Sequence, residues 1–422
     1  MSCFKQKTTI LIFPRRIQGV FILRWTSFNL NTSEQLENID WSFPNLDNTG
    51  IHSMHWYPAT YVAAIPGTLI PVFTEKGGLV LDPFNGSGTS GVEAIRLGRN
   101  FIGMDTNPVA LLMSQAKLHF PEPDILRKNL DMIVRDSETM FTSKEVVPHP
   151  NHEELSAWYH TDTLDTLNRI LSAILRVDDT DTKRCFLAIF SGLLKNTSSQ
   201  KRHWGWVCDN VKPKPFEVVY KDALSTFINA ANDYITITEQ SHKLVQVHSE
   251  NETRELTRSR YKLVHGDCVR NMRDLPDEHI DFVVTSPPYY GVADYIKSQR
   301  LSYLWFDRDE LAPDQLGFRD FQKLRAHESG ARSNRTRKNS HELYINFINS
   351  FFIECYRVLK VGSSMALVVG ESGARASTTN ELILAAESKG FILSLRRERD
   401  IKSSRRRLMA SVKCEDILIF IK

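Results

Sequence analysis

Apolar positions fall into short runs separated by longer stretches of helical spacing. GLVLDPF (78–84) reads as a buried strand, the GSGTS that follows as a turn, and GVEAIRLG as a helix closed by Gly98. FIGMD (101–105) is a second strand, and NPVALLMSQAKLHF is a helix with Pro108 near its start. Strand, glycine turn, helix and strand ending in an acid make half of a nucleotide-binding α/β unit. From about 119 to 260 the texture changes: LDTLNRILSAILRV and CFLAIFSGLLK are helical, and no strand alternation is clear. Strand signals return at KLVHGD (262–267), DFVVTSPP (281–288), SMALVVG (364–370), FILSLRRE (391–398) and EDILIFIK (415–422). Helical stretches separate most of them, notably ELYINFINSFFIECYRVLK (342–360).

The expected fold is therefore α/β: one Rossmann-like, seven-stranded sheet, part of it written before a largely helical insertion and the rest after it. The boundaries are an N-terminal arm (1–48), a first catalytic-domain segment (49–118), the insertion (119–260) and a second catalytic-domain segment (261–422). No internal repeat is present.

With 422 residues and 41% hydrophobic content, the chain can bury a sizeable core. Its six cysteines are scattered without a C-x-x-C pair, so neither a zinc site nor a disulfide framework is expected, and a reducing, cytoplasmic setting fits. No apolar run approaches the roughly 18 residues of a membrane span. Residues 1–33 carry Lys5, Lys7, Arg15, Arg16 and Arg24 and no acid, but TTILIF is short for a secretory core and is followed by Pro14. The segment reads as a strand-like arm or a product of the chosen start codon. Net charge is only +3, yet KNTSSQKRHWGW (195–206), KLRAHESGARSNRTRK (323–338) and RRERDIKSSRRR (396–407) concentrate positive charge. Each of these runs is either a solvated loop or part of a nucleic-acid surface.

In DPFNGSGT, Gly86 and Gly88 let the backbone turn sharply and approach a ligand. The Walker pattern fails, because Thr89 and Ser90 stand where a lysine is required; Gly86, Gly88 and Gly91 nearly meet the dinucleotide fingerprint, so a nicotinamide enzyme is a rival. Asp105, ending the second strand, suits two ribose hydroxyls or, alternatively, caps the next helix.

VVTSPPYYGV (283–292) is a buried strand that stops at a hydroxyl, two prolines and two aromatics. Taken with DPFNGSGT, it resembles the S-adenosylmethionine-dependent DNA amino-methyltransferases, whose cofactor loop is similar to DPFxGSGT and whose catalytic loop is Ser, Asp or Asn followed by Pro-Pro-Tyr. HWYPATYVAAIP (55–66), HGD (265–267) and YYGVADYIKSQRLSYLWF (289–306) extend the resemblance, which covers about 50–118 and 262–422. One departure is Thr60, where that branch carries lysine. The resemblance implies a methyltransferase sheet. It implies cofactor contacts from Asp82, Phe84, Gly86, Ser87, Gly88, Thr89, Asp105 and Asp267, and a catalytic loop of Ser286, Pro287, Pro288 and Tyr289. Simpler readings are core packing for Phe84 and an Asx turn for Asp267. No metal is implied.

An exocyclic amine is a poor nucleophile because its lone pair is delocalised into the ring. Acceptors aimed at its N–H bonds favour a pyramidal nitrogen; Ser286 Oγ and the Pro287 carbonyl are the candidates, with Pro288 stiffening the loop and Tyr289 offering a face to an extruded base. Carbon-5 methylation would need a cysteine after a proline, and no cysteine follows one. Serine in first position resembles the N4-cytosine group more than the N6-adenine group.

By resemblance the insertion recognises the target. Arg202 and Trp204 in it, and Tyr295, Arg300, Arg335 and Arg337 beyond the catalytic loop, are candidate DNA contacts; for Tyr295 and Arg300 ordinary packing is an equal reading. The expected protein is a site-specific methyltransferase of double-stranded DNA acting on cytosine N4, cytoplasmic and nucleoid-associated, within a restriction-modification or defence system beside a cognate endonuclease. The rivals are adenine N6 methylation and a non-catalytic DNA-binding relative.

Overall fold

The computed structural model describes residues 36–43, 50–55, 57–58, 60–143, 147–200, 212–246, 260–311, 318–372, 377–400 and 412–422. The strands are β1 (Leu79–Asp82), β2 (Asn100–Asp105), β3 (Tyr261–His265), β4 (Ile280–Thr285), β5 (Leu359–Ser372), β6 (Ile392–Asp400) and β7 (Val412–Ile421). They form one sheet in the order β3-β2-β1-β4-β5-β7-β6. The pairings from β3 across to β5 are parallel, while β7 runs antiparallel to both β5 and β6.

The apolar runs of the sequence become strands because the sheet is covered on both faces. Val80, Phe282, Val284, Ala366 and Val368 point into one core; their neighbours Leu81, Val283, Met365, Leu367 and Val369 point into the other. This two-residue period fixes the register, since a one-residue slip would exchange the two faces.

The described part of 119–260 contains only helices: Pro123–Ser143, His152–Ser156, Thr161–Leu175, Thr180–Thr197, the short turn Pro215–Glu217 and Ala223–Gln246. They do not fold apart from the sheet. Leu126, Ile133, Leu167, Ile170, Phe186 and Phe227 belong to the same core as Val80 and Phe101. Tyr234 donates its hydroxyl to the Ala116 carbonyl (2.7 Å), and Gln115 donates to Asp181 (2.8 Å), tying these helices to the helix Pro108–Leu118. Of the N-terminal arm, Leu36 and Trp41 are described and buried, joined by a hydrogen bond from the Trp41 indole to the Leu36 carbonyl (3.1 Å). No helix among the described residues is long and apolar enough to cross a membrane.

Trp305 joins the two halves of this core. It lies on the helix Arg300–Phe306, fully buried, against His149, Tyr159 and Phe190. Trp305→Ala should lower stability by about 3–5 kcal/mol. Chemical denaturation followed by circular dichroism should still show one transition for sheet and insertion helices, at lower denaturant.

Candidate active site

β1 lies between β2 and β4, and the chain's strand order reverses there. A crevice opens at such a switch point, beyond the carboxyl ends of the strands. Three chain segments meet at it: the glycine turn after Asp82, the turn after Asp105, and the prolyl loop after Thr285.

Asp82 links the first and third of these. Its Oδ1 accepts from the Thr285 hydroxyl (2.5 Å) and the Phe84 amide (3.1 Å), and its Oδ2 from the Ser90 hydroxyl (2.5 Å). Tyr61 in turn bonds Ser90. Burial pushes the Asp82 carboxyl up to about 6, against the lowering effect of these hydrogen bonds. Asp82 was expected to touch a cofactor. It is instead a strut beneath the cavity, its acceptor directions taken up by β4 and the helix Thr89–Arg96.

The glycine turn needs its glycines for different reasons. Gly86, at φ +50°, donates its amide to Asp105 Oδ2 (2.8 Å) and lines the cavity. Gly88, at φ +83°, does not line it; a Cβ there would lie 2.3 Å from Ser114 Oγ, so Gly88 lets the turn seat on the helix Pro108–Leu118. Asp105 accepts a second amide, from Asn107, through Oδ1 (2.8 Å). A carboxylate offers about four acceptor positions, so these backbone bonds leave it capacity for a further donor from the cavity it lines. Burial pushes the Asp105 carboxyl up to about 6.

The cavity measures about 340 Å³, within the range of small-ligand sites. Phe84, Gly86, Ser87, Thr89, Asp105 and Asp267 line it on the side of the glycine turn, and Ser286 and Pro288 on the side of the prolyl loop. Asp267 also caps the short helix Cys268–Met272, its Oδ1 accepting from the Arg270 amide (2.8 Å).

Within the prolyl loop, Ser286 donates its hydroxyl to the Val368 carbonyl (2.9 Å). Pro287 is buried and Pro288 receives the Tyr344 hydroxyl on its carbonyl (3.0 Å). Neither Pro287 nor Tyr289 lines the cavity. Tyr289, expected to offer its face to a base, is only 4% exposed and turns its hydroxyl inward to Glu415 (3.2 Å). The tyrosines that line the cavity are Tyr57, Tyr61 and Tyr295, of which Tyr295 follows the prolyl loop.

The other expected contacts separate. Arg300 is engaged in an ion pair with Glu154. Arg335 and Arg337 are exposed on a loop that packs on the prolyl loop: the Gly291 amide donates to the Gly330 carbonyl (2.8 Å), and Tyr290 bonds Ser340 (2.7 Å). Arg202 and Trp204 lie outside the described residues.

Several other lining residues were not singled out as site residues from the sequence. Tyr57 bonds Asn107 (3.4 Å), which receives the Tyr303 hydroxyl (2.9 Å) and caps its own helix; the Asn-Pro step was the available signal. Glu328 sits inside a basic run that masked it. Its carboxylate accepts from the Tyr295 amide (2.5 Å), and although part of the residue reaches the surface, the carboxyl is enclosed and pushed up to about 8 by burial.

Comparison with known proteins agrees with this geometry. A family model described as DNA methylase matches residues 13–116 and 280–410, more than half of the chain. The chain belongs to this DNA methylase family. It is 24% identical over 268 residues to the Type II methyltransferase M.MvaI of Kocuria varians, covering 61% of this chain and 57% of that protein. It is 24% identical over 285 residues to the Type II methyltransferase M.BsoBI of Geobacillus stearothermophilus, covering 62% and 54%. A shorter match, 48% identical over 50 residues, is to the Type II methyltransferase M2.DpnII of Streptococcus pneumoniae, covering 12% of this chain and 19% of that one. The chain thus spans about half the length of the first two relatives.

Asp82→Ala removes the carboxylate that accepts from the buried Thr285 and Ser90 hydroxyls and should cost about 1–3 kcal/mol. The folded acid is raised to about 6 from 3.8, so its stabilising contribution is present at low pH and lost as pH rises through 6. Urea unfolding of both proteins should therefore show a larger deficit at pH 5 than at pH 7.5.

Proposed function

We propose that the chain transfers a methyl group from S-adenosylmethionine to the N4 amino group of cytosine in double-stranded DNA, as the modification enzyme of a type II restriction-modification system. The observation that carries this reading is the single cavity shared by the glycine turn and the Ser286 loop. The residues present fit the cofactor. Asp105 lines the cavity and keeps acceptor capacity for ribose hydroxyls beside its backbone bonds. Asp267, with Oδ1 occupied as a cap, has Oδ2 for an adenine amine. Phe84 supplies an apolar wall, and Ser87 and Thr89 polar groups from the turn. When bound, S-adenosylmethionine supplies an electrophilic methyl group on a sulfonium.

Ser286 prepares the nucleophile. Its own proton is directed to Val368 (2.9 Å), so its lone pairs are free to accept an N–H from the target amine. That acceptor favours a pyramidal nitrogen. The base reaches the cavity only by leaving the duplex, at a cost of a few kcal/mol that stacking of about 1–3 kcal/mol offsets. Tyr295, which lines the cavity just beyond the prolyl loop, is the aromatic residue proposed for this. The exposed Arg332, Arg335, Arg337 and Lys338, on a loop packed against the prolyl loop, are placed to neutralise phosphates. The insertion supplies target recognition. Serine rather than an acid at position 286 supports cytosine, and the type II relatives support the restriction-modification setting, which implies a cognate endonuclease and a cytoplasmic, nucleoid-associated location.

Mass analysis of nucleosides from DNA incubated with protein and cofactor tests the reading: N4-methylcytosine is expected, whereas N6-methyladenine alone would move the target to adenine. Failure to bind cofactor with DNA binding intact would identify a non-catalytic relative. Ser286→Ala should slow transfer by about 10²-fold with the cofactor dissociation constant unchanged by calorimetry.

Asp105 must be ionised to accept both hydroxyls well, and its carboxyl stands at about 6. Cofactor affinity should be full above pH 7 and fall as pH drops through 6, by about tenfold at pH 5. Calorimetric titration across that range should give this slope, and Asp105→Asn should flatten it.

A further inference from the structure

Behind Ser286 lies a hydrogen-bonded chain that the transfer of the methyl group itself does not use. Ser286 Oγ is 3.2 Å from the Tyr289 hydroxyl, and that hydroxyl is 3.2 Å from Glu415 Oε1. Glu415 opens the apolar part of β7 and is 7% exposed. Directly across the ladder on β6 is Arg399, 4% exposed, whose Nη1 stands 3.7 Å from Glu415 Oε2. A buried carboxylate is costly unless paired; here one oxygen faces a cation and the other faces the tyrosine of the prolyl loop.

Resting on the methyltransferase reading above, we propose that Tyr289 and Glu415 form a proton path: the proton shed by the newly methylated amine passes to Ser286, and the path delivers a proton to Glu415. An exocyclic nitrogen that has gained a methyl group carries one hydrogen too many, and a serine hydroxyl cannot hold it. In the relay the N–H bond breaks as an O–H bond forms on Ser286 Oγ. The original Ser286 proton moves to Tyr289 Oη, and the phenolic proton moves to Glu415 Oε1. Both hydroxyls end neutral, as they began, and the carboxylate becomes a carboxylic acid. The proton returns to water along the same chain after the base has left.

The geometry suits this role at each step. The Ser286 hydroxyl has two acceptors in reach, Val368 and Tyr289, so it can hold its lone pairs toward the amine and then swing its proton to the phenol. Burial, and next the Glu415 charge, push the Tyr289 phenol well above its ordinary range, so it stays a neutral group able to donate and accept. The inward turn of Tyr289, away from the cavity, has a purpose on this account. Glu328, another acid lining the cavity, is raised to about 8 by burial and therefore already holds a proton at neutral pH.

The test is single-turnover methyl transfer by the full chain on target DNA across pH 5–9, with Glu415→Gln, Tyr289→Phe and the double variant. Each single variant should slow transfer by about 10- to 100-fold with cofactor affinity unchanged. With cofactor saturating at every pH, so that Asp105 titration does not enter, the acid limb of the wild-type pH–rate profile should vanish in both, and the double variant should be no slower than the slower single one, because the two act in one chain. Wild-type rate and profile in Glu415→Gln, an acid limb that persists in the variants, or multiplicative losses in the double variant would each overturn the path while leaving the methyltransferase reading intact. Should Glu415→Gln fail to fold, Tyr289→Phe keeps the Glu415–Arg399 pair and carries the same readout. A wild-type chain that methylates no DNA would defeat the function proposed above, and the path with it.

Discussion

The carboxylate of Asp82 is the constraint on which the site depends. It is one side chain, at the end of the central strand, and its two oxygens grip the prolyl strand through Thr285 and the helix after the glycine turn through Ser90. Two loops almost two hundred residues apart are thereby held at neighbouring strand tips. Neither loop has much regular structure of its own to hold it there, and both contain glycine or proline that only a rigid base can aim. Placing a carboxyl in that position is unfavourable in itself, as its rise to about 6 records; hydroxyl and amide donors converging on it make it tolerable.

From that base the chemistry separates into layers. The cavity face of the glycine turn offers backbone and acid groups to a nucleoside, the prolyl loop offers Ser286, and the antiparallel strands β6 and β7 stand behind it with the Arg399–Glu415 pair. The insertion helices contribute none of the cavity lining among the described residues. They extend one face of the sheet and bury Trp305, whose helix, Arg300–Phe306, comes after the prolyl loop in the chain. The segment after the prolyl loop therefore packs against the insertion through Trp305.

The middle of the sheet was legible in the sequence because both its faces are covered: β1, β4 and the paired parts of β5 and β7 had to be apolar runs, and each of the runs singled out forms a strand. Asp105 and Ser286 were legible because they end such runs at a turn. What could not be read were the partners. The inward rotation of Tyr289 depends on Glu415, distant in the chain and indistinguishable in sequence from any acid at the start of a strand. Glu328 was concealed by the arginines and lysines around it, and its capture by the Tyr295 amide is purely tertiary. Asp82 carried the right residue type for a ligand contact, yet the hydroxyls that claim it come from elements whose proximity only the folded sheet creates. For Arg300 the sequence left DNA contact and ordinary packing as equal readings, and its ion pair with Glu154 of the insertion is again tertiary.

The central claim is that donor and acceptor groups meet in one cavity between the glycine turn and the Ser286 loop. A crystal structure of the chain with S-adenosylhomocysteine tests it most directly. The account predicts ribose hydroxyls on the Asp105 carboxylate and the thioether sulfur turned toward the Ser286 hydroxyl, with open space between them for a base. A nucleoside bound elsewhere, or a sulfur directed away from Ser286 with protein filling the gap, would contradict it.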